Sequence, residues 1–221
     1  MKKIKKTIQG LFFNLYSRSY NKMHSPFFGS MSMHVPILKH VDSLQIEIKN
    51  ILDAGCGTGI LMGKMIERGY TVSGIDSSSK MVEMCEMNIK CSIHIQDIEE
   101  SIDGSFDLVI CNSVLQFSDN PELALFQVCS VIKPRGQVIL GLPKPKRLSS
   151  LIETSFSNIR NKKFKEAFIE GIMCIGWVFK GFSFWTIEDA TKNLKRNNCS
   201  SVKVIYSNNW GFLIVGIMKS S

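Results

Sequence analysis

What this sequence lacks narrows the class of protein that it encodes. It has no apolar run of the ~20 residues that span a membrane, and it has no convincing signal peptide. Its seven cysteines are scattered without a C-x-x-C pair, which disfavours both a disulfide framework and a zinc site. We therefore expect a cytoplasmic protein with reduced thiols and no metal. At 221 residues and 44% hydrophobic, the chain favours one well-filled domain over two.

Two common nucleotide-binding patterns are also missing. The dinucleotide fingerprint G-x-G-x-x-G would need a glycine at position 60, where the chain has Ile60. No Gly-Lys-Ser/Thr triplet follows the glycines, so the pattern of a phosphate-binding P-loop is absent as well. A ligand bound by these glycines would therefore be neither a dinucleotide nor a nucleoside triphosphate.

The run Ile51–Gly59 (ILDAGCGTG) predicts a buried strand, a tight glycine turn and the start of a helix near Ile60. Glycine is expected in the turn because a Cβ would clash with a ligand lying on it, and because some of these backbone angles are open mainly to glycine. A second strand ends in Asp76, an acid that can accept hydrogen bonds from both hydroxyls of a ribose. Together these features indicate an adenosine-like ligand that needs no phosphate site, and S-adenosylmethionine fits that description.

Five segments follow one another in the order and spacing of a known family: Asp53–Gly59, Gly74–Ser78, Gln96–Ile98, Phe106–Ile110 and Asn120–Leu140. Through them the chain resembles the class I S-adenosylmethionine-dependent methyltransferases, in particular the small-molecule branch called methyltransferase type 11. The resemblance covers roughly residues 16–142 closely and the remainder loosely. It implies a Rossmann-like α/β fold, in which a seven-stranded, mostly parallel sheet has helices on both faces and an antiparallel last strand.

The resemblance also implies how S-adenosylmethionine would be held. Asp53 and the glycine-turn amides would hold its methionine end, Asp76 the ribose, and Asp97 with Ile98 the adenine. Helix capping across the turn is the alternative role for Asp53 and Asp76. The full set of predicted cofactor-binding residues is Tyr20, Asp53, Gly55, Cys56, Gly57, Gly59, Asp76, Ser77, Met81, Gln96, Asp97, Ile98, Asn112 and Ser113.

The acceptor side departs from the family. After the fourth strand, where related enzymes often have a histidine, the chain has Gln116, which can orient a substrate but cannot take its proton. His24 and His34 are weak candidates for a catalytic role, and an ordinary surface or hydrogen-bonded histidine is the simpler interpretation of each. Methyl transfer to oxygen, nitrogen or carbon stays open. Cys111–Val114 does not match the Asn/Asp-Pro-Pro-aromatic run of enzymes that methylate base amino groups, which counts against DNA or RNA adenine chemistry.

The ends of the predicted domain carry two further segments. Residues 1–35 are predicted to form an N-terminal segment whose basic amphipathic helix, over 1–15, is either a lid over the cofactor crevice or an anchor at a membrane surface. The methyltransferase domain is predicted over 36–221, beginning with a helix over 36–50. Within it, a helical insertion over 147–185 is expected to cover the acceptor pocket.

The net charge of +8 is concentrated near two places, Lys2, Lys3, Lys5 and Lys6 at the start and Lys144, Lys146 and Arg147 after the fifth strand. A nucleic-acid surface would show a longer basic stripe with aromatic residues interleaved. We therefore expect solvated surface charge and no nucleic-acid partner, while attraction to an anionic membrane or an acidic substrate stays open.

These observations predict a methyltransferase that acts on a small, apolar or aromatic metabolite of the secondary-metabolite, lipid or quinone type. One alternative is an RNA or protein methyltransferase, which would need an extended basic groove. The other is a regulatory or partner protein that binds S-adenosylmethionine without turnover, because the glycine and acid motifs report binding and not catalysis.

Overall fold

The computed structural model describes residues 30–45, 47–144, 184–208 and 211–220. The helices of these residues are α1 (Ser30–Asp42), α2 (Ile60–Ile66), α3 (Ser79–Asn88), α4 (Pro121–Ser130) and α5 (Ile187–Arg196). The strands are β1 (Asn50–Ala54), β2 (Thr71–Asp76), β3 (Ser92–Ile95), β4 (Phe106–Asn112), β5 (Ile132–Pro143), β6 (Cys199–Ser207) and β7 (Gly211–Met218). A short 3-10 helix, Leu115–Phe117, follows β4.

The strands of the described residues form one seven-stranded sheet in the order β3-β2-β1-β4-β5-β7-β6. Strands β1 to β5 pair with one another in parallel, and β7 is antiparallel to both β5 and β6. The predicted fold is therefore confirmed. The chain order reverses at β1, which lies between β2 and β4. Open α/β sheets bind their ligands at such a point, beyond the carboxyl ends of the strands.

Both faces of the sheet are covered, as its near-continuous apolar strands require. Leu108 and Ile110 of β4 are buried with side chains of α1, α2 and α3, whereas Val109 and Cys111 are buried with side chains of α4 and α5. The alternation follows from the two-residue period of a strand. Helices on both faces thus leave the ends of the strands as the place where a ligand can approach the sheet.

The predicted helix over 36–50 is wrong at both ends, since α1 spans Ser30–Asp42 and contains Pro36. Proline usually marks the first turn of a helix. Here Met33 and Ile37 lie on either side of Pro36 and are both buried in the core. Packing of these side chains in the core therefore keeps the helix continuous across Pro36.

Three helices begin at residues whose side chains cap them. The side chains of Ser78 and Asn120 each accept a hydrogen bond from the amide three residues further on, at 3.3 and 3.1 Å. Thr186 and Asp189 form a capping box, in which each side chain bonds the backbone of the other residue.

Some predictions lie outside the described residues. They are the amphipathic helix over 1–15, the candidates Tyr20 and His24, and residues 147–183 of the predicted insertion. Within the described part of the chain, no helix is both long and apolar enough to cross a membrane.

Candidate cofactor site

The glycine turn lies at the carboxyl end of β1. Gly55, Gly57 and Gly59 have φ angles of 84°, 56° and 79°, in the left-handed region that glycine adopts without penalty. The amides of Gly55 and Cys56 both donate to the carbonyl of Ile75, at 2.7 and 3.0 Å, and so attach the turn to the end of β2. The turn therefore stands over the switch point of the sheet, where the sequence predicted it.

Neighbouring side chains, and not only a ligand, require glycine in this turn. A Cβ on Gly55 would collide with Val114, and a Cβ on Gly59 would collide with Cys85 and approach Ile89 Cδ1 to 2.6 Å. The clash expected from the sequence is one with a bound ligand. The structure adds a packing reason, because the segment after β4 and helix α3 both press against the turn.

Asp53 is a buried acid at the end of β1, with 4% of its surface exposed. Burial, and to a lesser degree the charge of Asp76, raise the pKa of Asp53 from 3.8 to about 7. The ionised form of Asp53 is therefore disfavoured in the free protein, because its carboxylate is shielded from water and lies near another acid. A cationic group placed beside Asp53 would reverse that balance.

Asp76 ends β2 and organises the backbone around it. Its Oδ2 accepts from the amide of Gly57 and its Oδ1 from the amide of Ser78, both at 2.9 Å. Burial raises the pKa of Asp76, although the two amides oppose that shift. A carboxylate has about four acceptor positions, so two amides leave capacity for a further donor. Asp76 therefore has a structural role across the turn and keeps room for the predicted ribose contact.

The segment after β3 contains the predicted adenine contacts. The amide of Gln96 donates to the carbonyl of Asp76 at 3.0 Å, which joins this segment to the end of β2. Asp97 Oδ1 accepts from the amide of Glu99 at 3.0 Å, and Ile98 is buried in the core. The structure thus brings the second and third motifs to the same edge of the sheet.

Two further predicted contacts, Ser77 and Met81, lie at the start of α3. Ser77 is exposed, and Met81 is buried with 2% of its surface accessible.

The segment after β4 carries Asn112, Ser113 and Gln116. Ser113 has a φ of 61°, and non-glycine residues held in that region are concentrated at functional sites. Gln116 is buried with 7% of its surface exposed, and its Oε1 has no hydrogen-bond partner among the described residues. A buried acceptor of this kind is costly to leave unpaired, which is consistent with a bound molecule donating to it.

Two other candidates among the described residues, His34 and Cys56, are both buried and uncharged near pH 7. His34 lies on the buried face of α1, where burial and then the charge of Lys64 lower its pKa to about 4, so it is neutral near pH 7. A hydrogen bond with Cys85, followed by burial, raises the pKa of Cys56, so this thiol stays protonated. Among the described residues, no group of three or more His, Cys, Asp or Glu is placed to bind a metal.

Sequence reasoning missed one residue of this region. Glu99 accepts three hydrogen bonds from the segment after β4, through Ser118 Oγ and the amides of Asp119 and Asn120. The signal in the sequence was weak, an acid two residues after Asp97. Nothing in the local pattern connects that acid to residues about twenty positions further along.

Solved structures define the class of fold. The magnesium protoporphyrin IX methyltransferase of Synechocystis PCC 6803, solved with bound S-adenosylmethionine, has a TM-score of 0.58 at 18% identity, covering 86% of this chain and 79% of that one. A proposed S-adenosyl-L-methionine-dependent methyltransferase of Methanococcus maripaludis has a TM-score of 0.64 at 17% identity, covering 95% and 94% of the two chains. At these identities the likeness establishes the fold, which is that of the Rossmann-like methyltransferases.

Sequence comparison defines the family. Residues 52–140 match the family model described as a methyltransferase domain. The ubiquinone biosynthesis O-methyltransferase of Dechloromonas aromatica (strain RCB) is 33% identical over 101 residues, which are 42% of this chain and 44% of that protein. The chain therefore spans less than half the length of the curated relatives that it matches. Its central segment is thus similar to the S-adenosylmethionine-dependent methyltransferases, and the resemblance seen in the motifs is confirmed.

Proposed function

We propose that this chain is an S-adenosylmethionine-dependent methyltransferase that methylates a small, apolar or aromatic metabolite of the phenol or quinol type. The observation that carries the proposal is the pair of acids, buried Asp53 and half-buried Asp76, at the glycine turn over the switch point of the sheet. The matched relatives named for ubiquinone biosynthesis favour an acceptor of this chemical class.

The charge of the site fits the cofactor. Asp53 and Asp76 repel one another, and the raised pKa of Asp53 is partly due to that repulsion. S-adenosylmethionine brings two positive groups, its sulfonium and its α-ammonium, and supplies an activated methyl group when bound. A cation beside Asp53 would stabilise the ionised carboxylate and relieve the repulsion. A neutral nucleoside would gain none of this attraction.

Each predicted contact then has a role set by its chemistry. Asp53 and the turn amides hold the methionine end, and Asp76 accepts from the ribose hydroxyls. Asp97 accepts from the adenine amino group, and Ile98 contacts the ring. The remaining members of the proposed binding set surround these groups: Tyr20, Gly55, Cys56, Gly57, Gly59, Ser77, Met81, Gln96, Asn112 and Ser113.

On the acceptor side, Gln116 would orient the substrate. Its buried Oε1 can accept a hydrogen bond from a hydroxyl or an amine, but an amide has no capacity to remove a proton near pH 7. An acceptor that is easily deprotonated, or an uncharged amine, therefore fits this residue best. A phenolic hydroxyl, with a pKa of about 10 in tyrosine, meets this condition better than an aliphatic alcohol.

Residues 1–15 have a basic amphipathic pattern, and we propose that they form a lid over the crevice of a cytoplasmic enzyme. The competing role is an anchor on an anionic membrane surface. Sedimentation with anionic vesicles, with and without residues 1–15, separates the two. Equal pelleting of both forms supports the lid, and pelleting that needs residues 1–15 supports the anchor.

The proposal is tested by calorimetric titration with S-adenosylhomocysteine and, separately, NADH. We expect the homocysteine compound alone to bind, and Asp76→Ala to weaken its binding by about 1–3 kcal/mol, the scale for losing a charged hydrogen-bond partner. Asp103→Ala, which removes an exposed acid in the turn before β4, is the matched control and should leave the affinity unchanged. No binding, or a preference for NADH, would exclude the proposed cofactor.

A transfer assay with lipophilic phenols, quinols and amines follows. Methylation of any of them distinguishes an enzyme from a silent binder. Binding of S-adenosylhomocysteine without transfer to any member of the panel would favour the silent partner protein.

A further inference from the structure

Glu99 makes an unusual set of contacts for a residue outside the recognised motifs. Its Oε1 accepts from Ser118 Oγ at 2.7 Å, from the amide of Asp119 at 2.6 Å and from the amide of Asn120 at 3.1 Å. Hydrogen bonds to a carboxylate are shorter and stronger than those between neutral groups. One oxygen atom therefore fixes three consecutive residues of the segment between β4 and α4.

The same segment, Ser113–Asn120, is attached at its other end to the cofactor site. The amide of Ser113 donates to the carbonyl of Gly141 at 2.8 Å. The side chain of Val114 lies against Gly55 of the glycine turn, since a Cβ on that glycine would collide with it. Gln116 lies between these two attachments. In the sequence it follows Val114 by two residues and precedes the residues that Glu99 bonds.

Glu99 also follows directly after the predicted adenine contacts. The amide of Glu99 donates to Asp97 Oδ1 at 3.0 Å. Ile98, which lies between these two residues in the sequence, is buried. A single side chain thus connects the segment that would hold the adenine with the segment that would orient the acceptor.

We propose that Glu99 is a positioning residue: it holds the Ser113–Asn120 segment so that Gln116 Oε1 is correctly placed toward the acceptor. The inference rests on the proposed function, because it gives Gln116 its role there. Glu99 itself touches neither cofactor nor acceptor in this account, and it acts through Gln116.

Two variants and one control separate this role from a general contribution to folding. Glu99→Ala removes the acceptor, whereas Glu99→Gln keeps an oxygen but removes its charge. Glu100→Gln removes the same charge one residue along, from an exposed side chain. Chemical denaturation confirms that each variant is folded, and if Glu99→Ala is not, Glu99→Gln carries the test.

The first measurement needs no acceptor. With the protein saturated with S-adenosylhomocysteine, amide hydrogen exchange is followed at Asp119 and Asn120, and the side-chain amide signal of Gln116 is followed by NMR, assigned by its loss in Gln116→Ala. We expect Glu99→Ala to speed exchange at both amides at least tenfold, Glu99→Gln to speed it less, and both to shift or broaden the Gln116 signal. Glu100→Gln should match the wild type. Unchanged exchange, or an unchanged Gln116 signal in Glu99→Ala, would overturn the proposal.

The second measurement uses the best acceptor of the panel. Glu99→Ala should lower kcat at least tenfold and change the affinity for S-adenosylhomocysteine less than threefold. In a Gln116→Ala background the same change should have little further effect, because its consequence is already present. A full, multiplicative loss in that background would contradict action through Gln116. Failure of the wild type to bind S-adenosylhomocysteine would instead exclude the proposed function, so the two failures are distinguishable.

Discussion

Asp53 is predicted to lower the stability of the ligand-free protein at neutral pH, and Asp53→Asn should reveal this. The pKa of Asp53 is about 7 in the folded chain and 3.8 without the fold. Between those values the folded protein holds a proton that the unfolded chain has released. Stability from this group is therefore greatest below pH 3.8, falls as the pH rises, and is constant above pH 7.

The size of the effect follows from the shift. Each pH unit within this window costs about 1.36 kcal/mol of unfolding free energy, so the range from pH 5 to pH 8 costs about 3 kcal/mol. Asparagine has a similar shape and does not ionise. The difference in stability between Asp53→Asn and the wild type should therefore move by about 3 kcal/mol in favour of the variant between pH 5 and pH 8.

Urea denaturation of the ligand-free proteins at pH 5, 6, 7 and 8 measures this difference, because comparison at each pH cancels the other titrating groups. Asp76→Asn is the matched control. One of its two carboxylate oxygens becomes an NH₂ group that faces the amide of Gly57 or Ser78, so this variant should be less stable than the wild type at pH 8. A stability difference for Asp53→Asn that stays constant from pH 5 to pH 8 would refute the reasoning about burial and repulsion.

Asp53→Asn should also bind S-adenosylmethionine more weakly than the wild type. Asp53 would then lower the stability of the free protein and be retained for its function in binding.

Two further changes test contacts elsewhere in the domain. Asp107→Asn should lower the unfolding free energy by about 1–3 kcal/mol at pH 7, because Asp107 Oδ1 accepts from Lys133 Nζ at 2.7 Å and Oδ2 accepts from two backbone amides. Although burial opposes the shift, these bonds lower the pKa of Asp107. In urea denaturation the loss of unfolding free energy should therefore shrink as the pH falls below about 4. A loss that is the same at every pH would contradict this explanation. In the same assay Gly55→Ala should lower the unfolding free energy by about 1–3 kcal/mol more than Gly69→Ala does. The two glycines have similar φ angles, 84° and 87°, so the backbone strain is matched. A Cβ on Gly55 would collide with Val114, whereas nothing lies within 4 Å of a Cβ on Gly69. Equal losses would mean that backbone strain alone requires glycine in the turn.

Much of this protein was readable from local pattern. The glycine turn and the acids at the ends of β1 and β2 are each encoded by the few residues around them, because each depends on local backbone angles or on a strand end. The same holds for the caps at Ser78, Asn120 and Thr186, where a side chain bonds an amide three residues away. The seven-stranded, mostly parallel sheet with an antiparallel last strand followed from the resemblance to a family, and it is confirmed.

Other features depended on contacts between distant parts of the chain, and only the tertiary structure decided them. Helix α1 passes through Pro36 because buried side chains on both sides of it pack on the sheet. Gly55 faces Val114 because the sheet order places β1 beside β4 and brings the segments that follow them together. Glu99, in the segment between β3 and β4, bonds residues about twenty positions away, beyond the end of β4. Asp53 could be recognised as an acid from its position alone, but its raised pKa could not. That shift arises from the water excluded by the folded core and from the charge that the end of β2 brings beside it.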